Sequence, residues 1–94
     1  MEIKDNTFSR QFEANSAKGL VSIEYTLQER KLFLTRINIP ENFEDESFID
    51  SFLTTILDLA EEKKWKIVPI YPRVASFFRK NPKYKTFLPP GIKI

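Results

Sequence analysis

Apolar residues alternate with polar ones through the first third of the chain and recur at every third or fourth position after residue 45, so strands are predicted to give way to a long helix. Phe8 to Ala14 reads as a first strand, followed by the turn formers of Asn15-Ser16-Ala17-Lys18-Gly19. From Leu20 to Leu27, Val21, Ile23, Tyr25 and Leu27 alternate with Ser22, Glu24 and Thr26, the period of two of a strand with one buried face. After the polar reversal Gln28-Glu29-Arg30, the segment Leu32 to Ile39 carries apolar residues on both parities, which predicts a central strand covered on both faces.

Beyond Pro40 the period lengthens. Phe48, Phe52, Ile56, Leu59 and Ala60 form one helical stripe, widened by Ile49, Leu53 and Leu57, over about residues 46 to 63. Asn42 and Asp45 are the N-cap candidates, and Lys63 and Lys64 suit the negative end of the helix dipole. Trp65 to Ile70 is short and β-prone, and Pro69 within it predicts an interrupted or edge strand. Pro72 suits a first helical turn, and Val74, Ala75, Phe77 and Phe78 mark a second, shorter helix that Asn81-Pro82 ends. Tyr84, Phe87 and Leu88 are expected to pack before the Pro89-Pro90-Gly91 tail. The reading is one α/β domain over residues 1–94, with a mixed, mostly antiparallel sheet, one long helix and one short one.

Composition narrows the chemistry. The 94 residues hold nine Phe, three Tyr and one Trp, enough for one core built largely of Phe. There is no Cys and no His, which excludes disulfides, thiol catalysis and thiolate or imidazole metal sites and leaves only carboxylates for a metal. No apolar run has the length of a membrane span, and the start of the chain has no signal-like stretch, so a cytoplasmic location is expected. The formal charge of +2 conceals a division. Residues 41 to 62 hold eight acids and no base, whereas residues 63 to 94 hold nine bases and no acidic side chain. The acidic stretch suits either a docking surface for a basic protein partner or a solvated helix face. Bases interleaved with Trp65, Tyr71 and Tyr84 admit a nucleic-acid surface through Lys63, Lys64, Lys66, Arg79, Lys80, Lys83 and Lys85, but the core-like spacing of those aromatics argues against it. The two halves can also meet across a homodimer, although pairing within one monomer explains the same pattern at lower entropic cost.

Five short segments, in order and spacing, carry a resemblance: Phe12-Glu13, Ile23-Glu24-Tyr25, Leu34 to Pro40, Val68-Pro69-Ile70-Tyr71-Pro72, and Arg79-Lys80-Asn81-Pro82-Lys83-Tyr84. Over roughly residues 8 to 88 the chain resembles the short GNAT-type N-acetyltransferases, which implies a GNAT-like acyltransferase fold and acetyl transfer from acetyl-CoA to an amine. By that resemblance Ser47 and Phe48 fall where the cofactor's pyrophosphate lies on amides at the start of the long helix. Ile37 falls on the strand whose N–H groups polarise the thioester, and Asn81 and Tyr84 fall near the nucleotide end.

The chain departs from the family where the chemistry is demanding. Family members hold the pyrophosphate with a loop of the type Arg-Gly-x-Gly, because the backbone must approach the phosphates without a Cβ in the way. In register, this sequence has Glu44-Asp45-Glu46-Ser47-Phe48. Each carboxylate near a phosphate opposes it by about 1 kcal/mol in bulk water and by more at lower dielectric. Arg36 stands where members carry a His, and its guanidinium cannot serve as a base. Tyr71 replaces a Cys; it is either a general acid or a half-buried aromatic at a strand end. Glu24 is either a base or a solvated residue on an alternating strand. The expectation is a divergent, non-catalytic GNAT-like domain that acts by binding, with an active acetyltransferase that has a reshaped loop as the alternative and a nucleic-acid binder as the third reading.

Overall fold

A computed structural model describes residues Met1 to Ile94. Five strands form one sheet in sequence order: β1 (Lys4–Asn6), β2 (Gln11–Ser16), β3 (Gly19–Gln28), β4 (Lys31–Asn38) and β5 (Lys66–Pro69). The first three pairings are antiparallel and β4 with β5 is parallel, because the helix α1 (Glu46–Lys63) crosses back between them. Helix α2 (Pro72–Lys80) and a 3-10 turn (Pro82–Phe87) complete the mixed α+β architecture.

Two tight hairpins set the register. Ser16 pairs with Gly19 around Ala17-Lys18, where Gly19 takes a φ of +129°, and the Ser16 hydroxyl donates to the Gly19 carbonyl at 2.7 Å. Gln28 pairs with Lys31 around Glu29 and Arg30, both at positive φ, the geometry that matches the twist of two-residue hairpins. The Arg30 guanidinium also donates to the Lys63 carbonyl, tying this hairpin to the end of α1.

One face of the sheet carries the core. Phe12, Val21, Ile23, Leu32, Leu34 and Ile67 meet Phe52 and Ile56 of α1 and Val74, Phe77 and Phe78 of α2 in a single cluster. Of the stripe expected on the long helix Phe52, Ile56 and Ala60 are buried with Ile49, Leu53 and Leu57, while Phe48 and Leu59 are half-buried, and Asp45 is the N-cap, its carboxylate accepting from the Phe48 amide. At the other end Lys64 turns into the left-handed region and the Trp65 amide reaches the Ala60 carbonyl at 2.8 Å, closing the helix as a C-terminal cap does. Strand β5 lies at the sheet edge and ends at Pro69, as the proline requires. The 3-10 turn lays Tyr84, Phe87 and the following Leu88 against the core.

Three expectations are corrected. The first predicted strand begins at Gln11, and Phe8, which is 98% exposed, belongs to the turn after an additional strand, β1. A three-residue edge strand has no periodicity to read; it is held by side chains, with Tyr25 Oη donating to Asp5 at 2.6 Å and Asn6 donating to Glu13 at 2.9 Å. Burial of Tyr25 first, and then this bond to Asp5, pushes its pKa up to about 12, so the phenol keeps its proton as a donor. Second, β3 is not buried along its whole inward face, since Leu27 runs out past the helices into solvent. Third, β4 is not covered on both faces: Phe33 is half-buried and Ile39 is 53% exposed. Its mixed parity comes from a β-bulge. Glu24 pairs with Arg36 and Tyr25 with Leu34, leaving Thr35 unpaired, so Leu34 and Ile37 both point into the core.

Candidate functional site

Pairing between β4 and β5 ends at Leu34 and Pro69, next to the bulged Thr35. Beyond that point a cavity of about 220 Å³ opens, walled by Ile37, Ile39, Phe43, Ile49 and Tyr71. Its polar lining is Glu46, the first residue of α1, and Arg73, in the first turn of α2. Tyr71 is placed by its own backbone, whose N–H donates to the Leu34 carbonyl at 3.1 Å and whose carbonyl accepts from Val74 at 2.9 Å as α2 begins.

The mouth of this cavity is crowded with charge. Arg73 donates from Nε to Glu46 at 2.6 Å and from Nη2 to Asp50 at 2.8 Å, with a longer contact of 3.4 Å to the Glu46 carbonyl. Burial alone would lower the pKa of Arg73, but the bonds to Asp50 and Glu46 outweigh it and raise it above the usual value. Beside this triad, Asp45 accepts from the Ser47 hydroxyl at 2.6 Å and from the Phe48 amide at 3.1 Å. Those two bonds, in that order, hold its carboxyl below the ordinary range. The first turn of α1 therefore already has an anion on its Phe48 amide, supplied by the chain itself.

The structure brings Ile37 and Tyr71 together in the cavity wall. Ser47 and Phe48 stand at the start of α1, where their donors serve Asp45, and Phe48 makes edge contacts with Phe43 and Phe52. Asn81 and Tyr84 are not part of the cavity lining. Asn81 ends α2, its side-chain amide donating to the Phe77 carbonyl at 2.8 Å, and Tyr84 stacks on Phe77 with ring centroids 5.6 Å apart and 9° between the planes. Glu24 accepts from Asn38 at 2.7 Å on the sheet face away from the core, and Arg36 is exposed. Of the bases in the last third, Lys66 donates to the Thr86 carbonyl and Lys83 sits over the Tyr84 ring. Trp65 and Tyr84 both pack on the core.

Sequence reasoning missed Arg73. Its partners lie 23 and 27 positions away on another helix, beyond the reach of any local pattern. The available signal was the division of charge, because a helix start with acids alone facing a neighbouring helix start with a base alone predicts an ion pair between them.

A model of the GCN5-related N-acetyl-transferase family matches residues 11–87. The chain belongs to this family. The sheet with its bulged β4, the parallel β5 and the helix between them are accordingly the GNAT fold, and the cavity lies where β4 and β5 part. No curated protein matches the sequence. At the start of α1 of this GNAT chain, Asp45 holds the Phe48 amide, and Arg73 is engaged by both Glu46 and Asp50. No group of three or more carboxylates in this GNAT chain is arranged to hold a metal ion, and no helix is long and apolar enough to cross a membrane.

Proposed function

We propose that this GNAT chain is a divergent, non-catalytic member that works by binding, with its acetyl-CoA site degraded. The observation that carries the reading is the Asp45 carboxylate on the Phe48 amide in the first turn of α1, flanked by Glu46 and Asp50. Helix amides that hold an internal anion offer little to an external one, and an added phosphate must overcome three carboxylates at short range. In this reading residues 1–94 act as one cytoplasmic domain, monomeric or homodimeric, and the acidic face of α1, where Asp58, Glu61 and Glu62 are exposed, meets a basic protein partner.

One observation favours a second reading, acetyl transfer from acetyl-CoA to an amine with Tyr71 as general acid: Tyr71 and Ile37 share the wall of one cavity. Against it, 220 Å³ is below the usual range of about 300 to 1,000 Å³ for ligand sites. Calorimetric titration with acetyl-CoA at moderate salt separates the two. No detectable binding at cofactor concentrations up to about 1 mM, a binding energy weaker than about 4 kcal/mol, is expected of the first. Micromolar binding would replace it with the second. Oligonucleotide binding with a steep salt dependence and no acetyl-CoA binding would replace both with a nucleic-acid surface on the basic third.

A further inference from the structure

The ion triad at the cavity mouth has a role separate from the cap. Arg73 is the only base in residues 63 to 94 with a carboxylate partner, and it has two. Its side chain is only 25% exposed, less than either partner, so the guanidinium lies under the carboxylates of α1 and not in open solvent. Glu46 and Asp50 are four apart and thus stacked on one helix face, and the guanidinium fork bridges them from a different helix. The bridge joins the first turn of α1 to the first turn of α2 across the gap where β4 and β5 are no longer paired.

We propose that Arg73, Glu46 and Asp50 form a clasp that closes the cofactor cleft from within, doing internally what a bound phosphate group would otherwise do at α1. The proposal rests on the reading of a degraded acetyl-CoA site and makes two further claims. The clasp holds α2 to α1, and it keeps Arg73 from serving any external anion. With its Nε and Nη2 on two carboxylates, the Arg73 guanidinium has its charge offset and its Nε–Nη2 edge occupied, whereas the same group released beside a helix start would present that edge and an uncompensated charge to an anion.

Thermal unfolding and titration with inorganic pyrophosphate at low salt test both claims. Arg73→Ala is expected to lower Tm by about 4 to 8 °C. Arg73→Lys should recover less than half of that, because an ammonium cannot bridge two carboxylates in one plane. The Glu46→Gln/Asp50→Asn double variant keeps Arg73 and removes its charged partners. It should bind pyrophosphate about tenfold or more tightly than the wild type. A wild-type Tm in Arg73→Ala, or equal pyrophosphate binding by the wild type and the double variant, would overturn the clasp. Should Arg73→Ala fail to fold, Arg73→Lys and the double variant give the same reading. Binding of acetyl-CoA by the wild type would instead overturn the functional reading, so the two fail separately.

Discussion

The start of α1 and the end of α2 are both helix termini where a charged ligand would meet backbone dipoles, and the chain fills them in opposite ways. At the start of α1 the carboxylates are engaged within the chain: Asp45 takes the Phe48 amide and the Ser47 hydroxyl, and Arg73 takes Glu46 and Asp50. At the end of α2, Arg79 and Lys80 face solvent without acids, and order comes from aromatic stacking of Tyr84 on Phe77 and from the Asn81 cap. One end spends its electrostatics internally, whereas the other leaves its charge available. An acidic partner or a phosphate would therefore encounter free cations at the second end and an excess of carboxylates at the first.

The largest way to break the comparison is to remove the frame that both ends share. Phe52 is fully buried between α1 and the sheet, and Phe52→Ala is expected to cost about 3 to 5 kcal/mol in denaturant unfolding, enough to blur both termini at once. A loss below about 1 kcal/mol would mean that α1 is not anchored there. A smaller change tests the second end alone. Tyr84→Leu removes the stacked pair but keeps apolar bulk, with an expected loss of about 0.5 to 1.5 kcal/mol and no change in pyrophosphate binding at α1. The smallest effect sharpens the first end. The carboxyl of Asp45 is held below its ordinary pKa, so its stabilisation is fully present above the unfolded value of about 4 and is lost as pH falls through the lower, folded value. Asp45→Asn keeps a capping side chain but does not titrate. Its Tm should fall less steeply than that of the wild type between about pH 5 and pH 2, and parallel curves would remove Asp45 from the account.

What the sequence disclosed follows the range of each interaction. Helix α1 was legible at both ends, because its stripe of Phe48, Phe52 and Ile56, its Asp45 cap and its terminal lysines are all local signals. The β2–β3 and β3–β4 hairpins were legible for the same reason. Strand β1 was not, since three residues tied down by side chains carry no period. Phe8 was misplaced because an exposed turn residue of strand-prone type looks like a strand residue. In the site, Ile37 and Tyr71 were placed by family resemblance and share a cavity wall, whereas Asn81 and Tyr84 are occupied in ending and packing α2. Arg73 lay outside reach because its meaning depends on two residues of a helix that only the fold brings near.

Thr35 decides more than its own position. Side chains in a strand alternate, so an odd number of supernumerary residues reverses the sides on which all later ones stand. With one such residue, Leu34 and Ile37 share the interior although their spacing of three would place them on opposite sides of a regular ribbon. Flattening the bulge with Thr35 kept in the ladder would turn Ile37 toward solvent and Arg36 inward, whereas excising Thr35 would leave Ile37 two positions after Leu34 and still inside. The inner wall of the recess thus depends on a count: the spacing of three between Leu34 and Ile37 points inward only while one residue between them stays out of the ladder.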